Sequence, residues 1–136
     1  MHSTEVGRLG ESYIMSAFIK MGAEVYLPFG GNTTYDMIIV NDGSYYTVEC
    51  KTVSVRNKAG GYTVQIKSVR SNKTHNVIKP FDPSKVDILA IYLMPDDQVI
   101  FIETKEFKFN SLNAVTINKK DIENIKSGLK VSVDVE

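Results

Sequence analysis

The chain has 136 residues, of which 43% are apolar and 24% charged, with sixteen bases balanced by sixteen acids. That composition excludes disorder, collagen-like repeats and a coiled coil, and fits one globular domain over residues 1–136. The longest apolar run, Ile88 to Met94, has seven residues where a bilayer span needs about 20; Met1 to Arg8 hold no apolar signal core, and Cys50, the one cysteine, excludes an intramolecular disulfide and a cysteine-rich zinc site.

An intracellular, cytoplasmic protein with no membrane partner is expected. From Thr4 to Met21 apolar residues recur at three or four positions (Val6, Leu9, Tyr13, Ala17, Met21), a helical pattern with Thr4 as N-cap and Gly22 as the terminating glycine. Short β runs follow at Glu24–Leu27, Tyr35–Val40 and Tyr45–Thr52, the last two joined by the turn cluster Asn41-Asp42-Gly43-Ser44. Ser54–Gly61 and Ser68–Pro83 read as loops around a strand at Thr63–Lys67. Val86–Met94 is nearly all apolar, so it reads as a strand covered on both faces. Pro95-Asp96-Asp97 turns into a strand at Gln98–Glu103, and Lys119–Lys126 reads as a short helix stopped by Gly128. The economical fold is α/β or α+β, a central mixed sheet flanked by helices.

The zero net charge conceals a strong asymmetry. Residues 1–50 carry −4, residues 51–80 carry +7 without one acid, and residues 81–136 carry −3. An acid-free basic stretch is the electrostatic footprint expected for a polyanion such as DNA. Arg56, Lys58, Lys67, Arg70 and Lys73 are its candidate backbone contacts, with Asn72 beside them as a neutral hydrogen-bonding partner for phosphate.

The chemistry is carried by the hairpin around Asp42-Gly43. A two-residue loop pairs Asn41 with Ser44, and the count continues through Met37 with Val48 to Asp36 with Glu49. Asp36 and Glu49 then oppose one another on one face, with Lys51 two residues on from Glu49. Opposed carboxylates repel unless a proton, a lysine or a metal holds them. Mg²⁺ takes such oxygens and keeps waters for a substrate phosphate. A bound cation acidifies water and stabilises charge on a phosphoryl centre, while Lys51 can orient the nucleophile. A surface hairpin with an ordinary Glu–Lys pair is the alternative reading, and a one-residue slip would move Asp36 to the other face.

The literal pattern P-D…(D/E)-x-K occurs at Pro95-Asp96 and Glu103-Thr104-Lys105. Glu103 lies seven residues beyond Asp96, about 20 Å along a strand, too far for one ion. Tyr35-Asp36 followed by Glu49-Cys50-Lys51 is the better match, though tyrosine stands in the place of proline.

With Gly7-Arg8-Leu9-Gly10-Glu11, Leu27-Pro28-Phe29-Gly30-Gly31, Asp36-Met37-Ile38-Ile39-Val40 and Val86-Asp87-Ile88-Leu89, the chain resembles the PD-(D/E)XK nucleases. More particularly it looks like two small branches, the archaeal-type Holliday junction resolvases and the group I intron-associated endonucleases. The resemblance implies a restriction-endonuclease-like core and metal ligation by Glu11, Asp36 and Glu49, with the carbonyl of Cys50 as a further ligand. It also implies Lys51 as a catalytic residue, Mg²⁺ (with Mn²⁺ substituting) as cofactor, and a homodimer or higher homo-oligomer acting on DNA. The expected activity is Mg²⁺-dependent DNA endonuclease, foremost of the junction-resolvase kind. A sequence-specific homing-type enzyme and a non-catalytic nucleic-acid-binding module remain as alternatives.

Overall fold

A computed structural model describes residues 1–31, 33–71 and 76–126. Of the residues named above, Asn72, Lys73 and Gly128 lie outside these. The elements are α1 (Ser3–Lys20), β1 (Glu24–Tyr26), β2 (Met37–Asn41), β3 (Ser44–Val53), β4 (Tyr62–Gln65), β5 (Ser68–Ser71), β6 (Asn76–Lys79), β7 (Ile88–Leu93), β8 (Gln98–Glu103), β9 (Ala114–Ile117) and α2 (Lys119–Lys126). One helical turn at Met94–Asp96 joins β7 to β8.

The main sheet runs β1-β2-β3-β7-β8. Only β3 and β7 pair in parallel; the other neighbours are antiparallel. This is the mixed sheet the sequence predicts, and β7 is the doubly covered strand. Its Ala90 and Tyr92 join Met37, Ile39 and Val48 against Ile14 and Phe18 of α1. Leu89, Ile91 and Leu93 face the other way, onto Tyr62 and Val64 of β4, Val115 and Ile117 of β9, and Ile122 of α2.

Three expectations need correction. His2, not Thr4, precedes the helix, and no side chain caps it. Ser68–Pro83 is not all loop: β5 and β6 form an antiparallel ribbon with Ser68 opposite Lys79. Finally, β9 falls where no strand was expected and pairs with β4. Two four-residue strands of mixed polarity give too little alternation to stand out, and β9 depends on a partner far upstream.

The helix seats on the sheet through glycine. Its buried stripe is Gly10, Ile14 and Phe18, one row away from the periodic residues Leu9, Tyr13 and Ala17. A Cβ on Gly10 would lie 1.6 Å from Thr52 Oγ1, so only glycine lets α1 approach β3 this closely. That approach sets Glu11 beside the middle of β3. The parallel β3–β7 register is clamped at its start, where Asp87 Oδ2 accepts from the Thr47 amide at 2.9 Å and the Asp87 amide donates to Thr47 Oγ1 at 3.0 Å.

At the far end of the sheet, Asp96 is buried. It accepts from Arg56 Nη2 at 2.6 Å and from the Tyr62 hydroxyl. Asp96 thus belongs to a structural cluster and not to the literal P-D motif, and β8 lies between it and Glu103.

Gly10→Ala should destabilise the fold by about 1–3 kcal/mol through overpacking, although alanine is the better helix former by about 1 kcal/mol. Adding Thr52→Ala should recover part of that loss in urea denaturation. Arg56→Ala should cost about 1.5–3 kcal/mol, because it removes a charged hydrogen bond from a buried carboxylate; an unchanged urea midpoint would count against the cluster.

Candidate active site

The β2–β3 hairpin turns at Asp42 (φ 49°) and Gly43 (φ 79°). Two successive left-handed residues make the turn whose twist matches that of the strands. The ladder runs from Asn41 opposite Ser44 to Met37 opposite Val48, as the count from the sequence requires.

It ends one pair short of Asp36 and Glu49. The Asp36 amide donates to the Val48 carbonyl at 2.9 Å, and Asp36 Oδ2 accepts from the Cys50 amide at 2.7 Å. The carboxylate thus satisfies a backbone donor that β2 would have met had it continued. Asp36 stands at the open edge of β3 rather than squarely opposite Glu49.

Strand alternation places Glu49 and Lys51 on the β4–β9 side, in register with Leu89 and Ile91. Lys51 Nζ lies 3.5 Å from Glu49 Oε2, and the two side chains are only 23% and 17% exposed. Glu11 comes from the α1 side, half-buried.

The charge of Asp36 reaches both glutamates. Burial pushes the Glu11 carboxyl above the ordinary range, and the charge of Asp36 adds to the push. Burial also raises Glu49; Lys51 opposes this and Asp36 reinforces it. Burial raises the Cys50 thiol, helped by Asp36, Glu11 and Glu49 in turn, so the thiol stays protonated at neutral pH. Asp36 is the shared neighbour that links the acids on the two sides of the sheet edge.

Among the described residues, no three His, Cys, Asp or Glu side chains are drawn together closely enough to hold a metal ion as they stand. Glu49 leans toward Lys51 and Asp36 toward the Cys50 amide. The donor set nevertheless fits a hard divalent cation in kind. It is all carboxylate oxygen, and its members carry the repulsion and desolvation that a cation would offset.

The expected DNA contacts scatter. Arg56 is tied to Asp96 and to the Gly60 carbonyl at 3.0 Å, which commits its cation to the fold. Lys58 is exposed in the turn that follows, near the Asp96 end. Lys67 is half-buried just after β4. Arg70 stands in β5 opposite Val77, and Lys73 lies outside the described residues. Sequence reasoning did not mark Gly10 or Thr52 as the pair that seats Glu11; the only signal was a helical glycine one residue before an acid. A cleft of about 300 Å³ opens beside Glu49, walled by Thr33, Thr34, Ser68, Lys79 and Lys85.

The raised carboxyls carry a sign that stability can test. A carboxyl whose folded pKa is raised holds its proton more tightly in the folded than in the unfolded chain. Without metal, stability should therefore fall as pH rises from about 4.3, the ordinary glutamate value, through the raised values. Glu49→Gln and Glu11→Gln should each flatten that slope and raise the metal-free melting midpoint at pH 7 by a few degrees. A lowered midpoint with an unchanged slope would mean that neither carboxyl is held against repulsion.

A family model described as PD-(D/E)XK endonuclease matches residues 1–131. No curated protein matches the sequence. Among solved structures the fold is similar to that of I-Ssp6803I, a bacterial homing endonuclease, with a TM-score of 0.75 and 20% identity over 88% of this chain and 80% of that one. No described helix is long and apolar enough to cross a membrane. The family model spans residues 1–131 of this mixed-sheet fold, and the chain belongs to the PD-(D/E)XK endonuclease family.

Proposed function

We propose that this chain is a Mg²⁺-dependent DNA endonuclease, with Mn²⁺ able to substitute, acting as one nuclease domain over residues 1–136. The observation that carries this reading is the gathering of carboxylates at the edge of β3: Asp36 is anchored there by the Cys50 amide, its charge reaches both half-buried glutamates, Glu11 and Glu49, and Lys51 lies 3.5 Å from Glu49. Three repelling acids serve no purpose in a pure DNA binder, because they repel phosphate.

Asp36 and Glu49 would hold the cation, with Glu11 and the carbonyl of Cys50 completing its ligands. The bound ion supplies an acidified water and charge neutralisation at the phosphate. Lys51, close to Glu49, orients the attacking water and offsets charge developing on the phosphoryl oxygens. The hydrogen bond that the Cys50 amide donates to Asp36 Oδ2 holds the aspartate at the strand edge, so it need not be ordered anew for each turnover. Two strands are cut by two sites, which calls for a homodimer or higher homo-oligomer.

Substrate choice lies between a four-way junction and a recognition sequence. The junction-resolvase reading comes from the sequence resemblance. Two observations favour the homing-type reading: the fold is similar to that of a homing endonuclease, and a β5–β6 ribbon stands within the β3–β7 crossover. A two-stranded ribbon is an element that the major groove admits.

Incubation with four-way junction, plain duplex and single-stranded DNA, with and without Mg²⁺ or Mn²⁺, tests both levels. Asp36→Ala and Glu49→Ala should each lower metal-dependent cleavage by about a thousandfold or more while keeping or improving DNA binding. Lys51→Ala should lower cleavage comparably with little change in metal affinity. Retained cleavage in any of the three would overturn the assignment.

A further inference from the structure

The cleft beside Glu49 joins the acidic centre to cations that come from two separate pieces of chain. Lys79 ends β6, opposite Ser68 of β5. Lys85 closes the Asp82–Lys85 turn, in which the Lys85 amide donates to the Asp82 carbonyl at 3.1 Å. Both lysines are exposed and wall the same cleft as Glu49, with the hydroxyls of Thr33, Thr34 and Ser68 around it. The floor is rigid, because Ile66, Phe81 and Val86 belong to the main buried cluster. One carboxylate, Asp82, shares the cleft and is tied into its own turn through Ser84 Oγ at 2.6 Å.

We propose that this cleft is a phosphodiester-binding subsite in which Lys79 and Lys85 hold the DNA backbone next to the bond cut at Glu49. The proposal rests on the nuclease reading above and extends it to residues outside the acid–lysine centre. A strand whose scissile phosphate meets Glu49 must carry its neighbouring phosphates along some wall of the site. Glu11 and Asp36 repel phosphates, whereas Lys79 and Lys85 in the cleft attract them, and Thr34 and Ser68 offer hydroxyls of the kind that position phosphates, the Thr33 hydroxyl being spent on the Tyr35 carbonyl at 2.9 Å. Lys85 sits in the net-acidic segment 81–136, where charge counting along the sequence does not find it. Asp82 stands between the two lysines in charge and tempers their pull.

The test is binding of a labelled duplex by fluorescence anisotropy, without divalent metal, across 50 to 200 mM salt (on the order of the range over which phosphate contacts are read). The double variant Lys79→Ala/Lys85→Ala should bind about ten- to a hundredfold more weakly and lose about two from the magnitude of the salt slope. In cleavage it should raise KM with kcat nearly unchanged. Asp82→Asn should tighten binding several-fold, and Lys120→Glu, on the exposed side of α2, should change neither affinity nor slope. A folded double variant, shown by an unchanged circular dichroism melt, that keeps the wild-type slope would overturn the subsite. Wild-type protein that binds DNA but never cuts it would overturn only the catalytic reading, with the double variant still deciding the cleft. Wild-type protein that binds no DNA would overturn both.

Discussion

The two left-handed residues at Asp42 and Gly43 fix which atoms can meet around the site. Because the turn admits only two residues, Asn41 must face Ser44, and every later pair follows at the strand period of two. A slip of one residue would turn Met37, Ile39 and Val48 out of the α1-facing core and carry Asp36 to the wrong side. Apolar burial on that face therefore holds the register, and the register delivers Asp36 to the edge of β3 near Glu49 and Lys51. The chemistry is positioned by core packing several residues away from it.

A second constraint acts across the layers. Gly10 lets α1 settle onto Thr52, and the next residue, Glu11, is brought within the field of Asp36. The result is an acidic centre in which burial, reinforced by the charge of Asp36, raises the carboxyls of Glu11 and Glu49. Such a group destabilises the metal-free fold at neutral pH, a cost that a bound cation would offset. The Asp96 cluster shows the opposite logic. There a buried carboxylate is answered by Arg56 and Tyr62, and the phenol is pushed up to about 12 by burial, the Asp96 hydrogen bond and the Asp96 charge. The first arrangement is poised for a ligand; the second is complete in itself.

Much of this was legible in the residues. Asp42-Gly43 between alternating runs gave the hairpin and its register, and the apolar run through Ile88–Leu93 gave the doubly covered strand. The distance between Asp96 and Glu103 was enough to set aside the literal motif. What stayed hidden depends on contacts remote in sequence. The tight fit of Gly10 on Thr52 has no local signature. Arg56 looks like a free cation until Asp96 is folded against it, and β9 is a strand only because β4 lies alongside. Asp36 and Glu49 fall one pair short of direct opposition because β2 leaves the ladder, and no periodicity marks where a strand departs.

In the proposed active site, Glu11, Asp36 and Glu49 share one divalent cation. Crystals grown without metal and soaked in Mn²⁺, with an anomalous difference map at the manganese edge, address it directly. A single strong peak bounded by those three carboxylates and the Cys50 carbonyl is the expected result, with Glu49 drawn away from Lys51. Manganese bound elsewhere, or a map with no peak at the edge of β3, would contradict it.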